Sequence, residues 1–320
     1  MGAVGCHGSL FYVKITRLRI LRDDNAYFPE DAMKLTEIYR QKGKKVVSFE
    51  IFPPKKDEEL LHIDDTLSIL AECEPDFISV TFGAGGSSNN NKTVEIARKI
   101  KETYHIEPVV HLTGMCYDEK EIDAFADAIA SAGIENIMAL RGDENPNAAR
   151  KDAFPHASDL IEYLVKHYDF CISGACYPEI HPDSKDRVEE IRNLKKKVDA
   201  GAQVLLSQLF FDNEEFYRFL EDCAIAGIEV PITPGIMPVT KGAQIKRMVD
   251  LCGAKLPERY ERIIHRFEGS PDALFDAGMA YCVSQIIDLL ANDTDGVHIY
   301  TMNNPRIART ICDAVKNIIR

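Results

Sequence analysis

Glu50 is a carboxylate set inside Val46-Val47-Ser48-Phe49-Glu50-Ile51-Phe52, a run that otherwise reads as a buried strand. Alternation along a strand puts Val47, Phe49 and Ile51 on one side and Ser48 and Glu50 on the other. Pro53-Pro54 ends the run, because neither residue can donate a ladder hydrogen bond. Glu50 thus stands near the C-terminal end of a strand, facing whatever the polar side encloses. Desolvation at such a place raises a carboxyl pKa until the group holds a proton, which makes a general acid. A Glu paired with a buried Arg or Lys accounts for this one segment equally well.

Polar groups close other β-rich runs in the same way. Ser79-Val80-Thr81-Phe82-Gly83-Ala84-Gly85-Gly86 ends one; His111 and Thr113 end the next, then Arg141-Gly142-Asp143 and Tyr177-Pro178-Glu179-Ile180-His181. Gln208 follows, and His298 with Tyr300. Any one of these is explained as a satisfied core polar group. Their recurrence at the same end of seven strands points to one shared site.

The elements that position these groups are strands over 46–52, 76–82, 107–113, 136–141, 171–177, 203–210, 230–236 and 297–302. Amphipathic segments of helical length alternate with them, such as Asp118 to Ala132, where Ile122, Phe125, Ala126, Ile129 and Ala130 trace one face. Gly133, Gly201, Gly227 and Gly253 fall where helix C-caps belong. Alternating βα units imply a parallel sheet, and eight of them an α/β fold closed as a (β/α)8 TIM barrel. The seventh crossover is long, with extra helices over about 257–267 and 271–291 before strand 8. A doubly wound open sheet is the alternative, weakened by the lack of GxGxxG after the first strand.

Residues 1–32 lack clear periodicity and read as an N-terminal extension or a misassigned start. Met33 opens a helix over Lys34 to Gln41, so residues 33–320 are read as a single barrel domain.

A net charge of −13 argues against a nucleic-acid surface, which needs concentrated Lys and Arg. The nine cysteines include no CxxC pair and are odd in number, so neither a disulfide framework, a zinc site nor any other metal is expected. That usage suits a reduced, cytoplasmic protein. No membrane span is expected either, and Lys14, Arg17, Arg19 and Arg22 interrupt the N-terminal apolar stretch.

Taken together the strand ends resemble the methylenetetrahydrofolate reductase family, in its short bacterial, FAD-dependent form. The matching stretches run from Val47-Ser48-Phe49-Glu50-Ile51-Phe52-Pro53-Pro54-Lys55 through Ser79 to Ala84, Ala139 to Asp143 and Tyr177 to Pro182. They continue through Leu194 to Ala202, Gln208 to Asp212, Pro234 to Pro238 and His298 to Asn303. The resemblance implies FAD contacts at Phe82, Ala84, His111, Arg141, Gly142, Asp143, Ala157, Tyr177, His181, Glu190, Asn193 and Lys197. Arg141 and Lys197 suit a pyrophosphate, and one or more of Lys195-Lys196-Lys197 forms a solvated helix face.

The resemblance also implies the reaction. An oxidoreductase of one-carbon metabolism and methionine biosynthesis reduces 5,10-methylenetetrahydrofolate to 5-methyltetrahydrofolate, with NADH, NADPH or a partner protein as donor. Glu50 is then the general acid for the departing nitrogen, with Asp143 beside flavin and pterin. Thr81, Gln208 and Tyr300 contact folate or nicotinamide, which alternate over one flavin face in ping-pong order. Self-association is implied as well. The alternatives are a flavoprotein electron-relay subunit that needs a partner, and a flavin-free pterin- or phosphate-binding barrel. Two departures touch the substrate side: Thr240-Lys241-Gly242-Ala243 stands where many relatives have a Phe, and Asn303-Asn304-Pro305 where they have an Arg, with Arg306 as the substitute.

Overall fold

The computed structural model describes residues 33–41, 45–54, 60–82, 87–144, 149–242, 245, 248–249 and 252–319. The extension over residues 1–32 and the expected contact at Ala84 lie outside the described residues.

Among the described residues nine parallel strands form one sheet: β1 (Val46–Ile51), β2 (Phe77–Val80), β3 (Glu107–Thr113), β4 (Asn136–Leu140), β5 (Cys171–Cys176), β6 (Val204–Ser207), β7 (Ile232–Thr233), β8 (Gly235–Ile236) and β9 (Gly296–Tyr300). The order β7-β6-β5-β4-β3-β2-β1-β9-β8 looks open but is a ring, because β7 and β8 are one stave interrupted at Pro234. Proline has no N–H for the ladder, yet its carbonyl accepts from the His298 N–H at 2.9 Å, so the break costs one donor and not the seam. Eight staves close a TIM barrel, as the alternation predicts.

The helices are α1 (Leu35–Arg40), α2 (Leu60–Glu72), α3 (Ser87–Tyr104), α4 (Glu119–Ser131), α5 (Ala157–His167), α6 (Arg187–Asp199), α7 (Asn213–Ile225), α8 (Glu258–Phe267), α9 (Pro271–Ala291) and α10 (Pro305–Val315). α8 and α9 are the extra pair before the last strand. Helix α4 starts where Asp118 accepts from the Glu121 N–H at 3.1 Å and Glu121 accepts from the Asp118 N–H at 2.8 Å, a reciprocal capping box. Its Ile122, Ala126 and Ile129 are buried as expected, whereas Ala130 is exposed. Gly133, Gly201, Gly227 and Gly253 all take positive φ.

Strand alternation sorts the core into two regions. Val47, Phe49 and Ile51 point outward into the main hydrophobic layer between sheet and helices. At the N-terminal ends of the strands, Val46, Phe77, Val109, Met138, Cys171 and Val204 fill the lumen with Leu35 and Ile38 of α1. Helix α1 plugs that end: the Leu35 N–H donates to Asn136 Oδ1 at 2.8 Å, and the Tyr39 hydroxyl meets Thr233 Oγ1 at 2.5 Å.

Helix α9 is the described helix that bears on the expectation of no membrane span. Its 21 residues, with a mean hydropathy of 1.3 over the most apolar window, are long and apolar enough to cross a membrane. Half of that window is buried within the fold, where it packs beside α7, α8, α10 and β9.

Candidate functional site

With the lower lumen plugged, the polar inner residues of the staves face a cavity of about 750 Å³ at the C-terminal ends of the strands. Glu50, on β1, forms part of its floor. The Glu50 side chain is 21% exposed, and its Oε2 lies 3.6 Å from His111 Nε2 and 3.7 Å from His298 Nε2. Among the described residues its ionic neighbours are thus two imidazoles, with no Lys or Arg paired to it. Parallel register explains one of them: β1 pairs with β9 so that Ser48 sits opposite His298 and Glu50 opposite Tyr300.

The two imidazoles differ. His298 is fully buried and held by Ser48 Oγ at 2.8 Å from Nδ1, with the Phe77 ring stacked 5.9 Å away. His111 is buried with no hydrogen bond to its Nε2. Burial lowers its pKa, against the pull of the Glu50 carboxylate, so at neutral pH it stays uncharged and brings Glu50 no positive partner.

Around Glu50 the cavity wall is aromatic and amide. Tyr300 donates from its hydroxyl to the Ser207 carbonyl at 2.6 Å, and burial drives its pKa well up. That contact crosses Gly235, where a Cβ would lie 2.7 Å from the Tyr300 hydroxyl and inside van der Waals contact of Ser207 O. Only glycine admits this approach. The Tyr177 hydroxyl is hydrogen-bonded to Gln208, and burial pushes its pKa up to about 12. Gln208 Oε1 is taken by the Leu209 N–H at 2.8 Å, which fixes the amide's orientation.

A polar arm of the cavity runs over α6 and the loop after β5. Glu190 is buried and accepts from the His181 N–H at 3.2 Å and from Ser184 Oγ at 2.7 Å, so it holds that loop. Of the lysine triplet, Lys195 pairs with Asp199 and Lys196 reaches Asn193 Oδ1 at 3.2 Å. Lys197 turns inward, its ammonium donating to the Ala175 carbonyl at 2.8 Å, and burial lowers its pKa. Arg141 forms an ion pair with Asp183 at 2.7 Å. Gly142, at φ 90°, turns the chain between Arg141 and Asp143, and Ala157 is the first residue of α5.

The cavity brings together Glu50, Thr81, Phe82, His111, Arg141, Gly142, Asp143, Ala157, Tyr177, His181, Glu190, Asn193, Lys197, Gln208 and Tyr300. The sequence reading missed Met115, Tyr117, Asp183, Met237, Cys252 and Met302, which also line it. Met237 lay within Pro234 to Pro238 and Met302 within His298 to Asn303, stretches the resemblance had marked. The expected substitution by Arg306 is not made. Asn304 caps α10 through the Arg306 N–H at 3.1 Å, and the Arg306 guanidinium lies 3.9 Å over the Phe275 ring, in a groove between α9 and α10. Gly242 does not line the cavity; a Cβ there would meet Glu268 and Leu274 at ordinary contact distance.

The family model for methylenetetrahydrofolate reductase matches residues 34–316. The chain belongs to the methylenetetrahydrofolate reductase family. It is 34% identical over 270 residues to the 5,10-methylenetetrahydrofolate reductase of Escherichia coli, covering 84% of this chain and 90% of that one. It is 33% identical over 279 residues to "Methylenetetrahydrofolate reductase (NADH) 1" of Arabidopsis thaliana, covering 82% of this chain and 47% of that longer one. Methylenetetrahydrofolate reductases are oxidoreductases of one-carbon metabolism, and the barrel observed here is shared with more distant structures. One is an uncharacterized protein from Clostridium thermocellum that binds two copies of 5-methyl-5,6,7,8-tetrahydrofolic acid, at a TM-score of 0.63 and 13% identity over 89% of this chain and 98% of that one. Another is tryptophan synthase from M. tuberculosis, at a TM-score of 0.51 and 12% identity over 89% and 96%.

Proposed function

We propose that this chain reduces 5,10-methylenetetrahydrofolate to 5-methyltetrahydrofolate, with FAD held in the cavity and NADH, NADPH or a reduced partner protein as electron source. Glu50 carries this reading. It is a carboxyl group at the floor of the cavity, without a cationic partner among the described residues, and flanked by imidazoles that can exchange protons with it.

The residues present fit a flavin dinucleotide. The cavity's 750 Å³ and its polar arm suit a long, partly charged ligand. Lys197, desolvated and bonded to one carbonyl, has donor capacity left for a phosphate oxygen. Arg141, already on Asp183, would exchange that surface pair for the cofactor. Phe82, His111, Ala157, Tyr177, His181 and Asn193 would complete the contacts, with Glu190 holding the loop of His181. Bound there, the flavin would supply hydride to the carbon that becomes the methyl group.

The rest falls to the chain itself. Opening the folate's five-membered ring requires a proton on the departing nitrogen, and Glu50 is placed to give it. Ser48 fixes the His298 ring at 2.8 Å, so a proton can return to Glu50 from beneath rather than from bulk water. Asp143 would accept from the pterin's amide and amino edge and stabilise the cation that forms beside it. Gln208, Thr81 and Tyr300 would face folate and donor in turn. The enzyme would work in the cytoplasm.

Glu50→Gln tests the acid role. The variant should bind FAD and be reduced by its donor at an unchanged rate, while folate reduction falls by at least about 100-fold. Retained folate turnover would sink the assignment. Arg306, turned onto Phe275, supplies no cavity cation, which keeps the partner-driven relay in play. Anaerobic NADH titration of the purified protein distinguishes it: bleaching of flavin absorbance without a partner rules the relay out.

A further inference from the structure

The first and last barrel helices, α2 and α10, meet near the N-terminal ends of the strands, away from the folate cavity. A second cavity of about 440 Å³ opens there, lined by Lys45, Glu72, Cys73, Arg309 and Cys312 among others. Cys73, just past α2, is partly exposed, and Cys312, on α10, is buried beside it. The Cys73 thiol donates to the Ile69 carbonyl at 3.6 Å, and both cysteines line the wall of the same cavity. Arg309, one turn before Cys312, is ion-paired with Glu72, the residue preceding Cys73.

We propose that Cys73 and Cys312 are a redox site that closes to a reversible disulfide by exchange with small disulfides of the glutathione class. The two thiols have unequal roles. The neighbouring Cys312 thiol and the Arg309 guanidinium both hold the Cys73 thiol below its ordinary range, which favours the thiolate on the partly exposed sulfur. Cys312 is buried beside Cys73, and that neighbour together with burial pushes its thiol far up. Cys73, the sulfur that solvent reaches, is therefore the attacking one and the buried Cys312 the resolving one.

The Cys73 thiolate attacks one sulfur of the small disulfide, forms a mixed disulfide and expels one small thiolate. Cys312 then loses its proton and attacks the Cys73 sulfur, forming the Cys73–Cys312 bond and expelling the second thiolate. Two electrons pass from the protein to the small disulfide, and the two protons end on the two released thiols. The bond ties α2 to α10 across the barrel seam, and neither cysteine lines the folate cavity.

The test equilibrates the full-length protein with mixtures of reduced and oxidised glutathione, quenches in acid, alkylates under denaturing conditions and maps all nine cysteines by mass spectrometry. The expected product is a peptide pair joining Cys73 to Cys312, cleaved by dithiothreitol. Cys312→Ser should stop at Cys73 carrying one glutathione, and Cys73→Ser should leave Cys312 unmodified. Nine alkylated cysteines in every mixture, a bridge between other cysteines, or a glutathione that stays on wild-type Cys73 would each overturn the proposal.

Discussion

Glu50 derives its chemistry from its neighbours, and those neighbours can be changed one at a time. Ser48→Ala removes the 2.8 Å bond to His298 and leaves a buried ring nitrogen unsatisfied, at a cost of about 1–3 kcal/mol in urea denaturation. The folate half-reaction should slow while flavin reduction by the donor does not. His111 makes stability depend on pH. Its folded pKa lies below the unfolded value of 6.5, so as pH falls through that value the unfolded chain takes the proton first. Stability is intact above about pH 6.5 and falls below it, by up to about 1.4 kcal/mol per pH unit from this one group. Calorimetry from about pH 7.5 to about pH 5.5 should show the drop, and His111→Asn should flatten it.

Between elements, close approach decides what is tolerated. Gly235→Ala would push a methyl into the Ser207 carbonyl and the Tyr300 hydroxyl, at about 1–3 kcal/mol or more, and would shift the Tyr300 ring within the cavity. A lower denaturation midpoint with a raised folate KM is the expected result. Such contacts also mark how far the sequence could be read. Glu50 was legible because strand period two needs no partner, and the polar strand ends were legible as a group for the same reason. The Ser48–His298 bond was not, since it depends on the register between the first and last staves. Arg306 was misplaced because its direction depends on the Asn304 cap and on Phe275, a residue from another helix. Pro234 gave no hint that it would break one stave into two strands, because its neighbours keep the strand pattern on both sides.

For the molecule as a whole, the domain boundary proposed at residue 33 has a direct consequence. A chain starting at Met33 should fold with the same stability and flavin content as the full one. A chain starting at Val46 loses α1, and with it the buried Leu35 and Ile38 side chains, each contributing about 1.5–3 kcal/mol. Its midpoint should drop steeply in thermal unfolding. The seam between the first and last staves also sets a timetable. Ser48 and His298 are 250 residues apart in the chain, so the pairing that would complete the proposed proton path is among the most distant contacts of the described residues. Loop closure of that length is slow, and during synthesis β1 must wait, with one edge unpaired, until β9 has left the ribosome. Glu50 is thus among the earliest strand residues made and among the last to acquire its surroundings, and any chain cut short before β9 has an exposed sheet edge and a Glu50 without the His298 imidazole beside it.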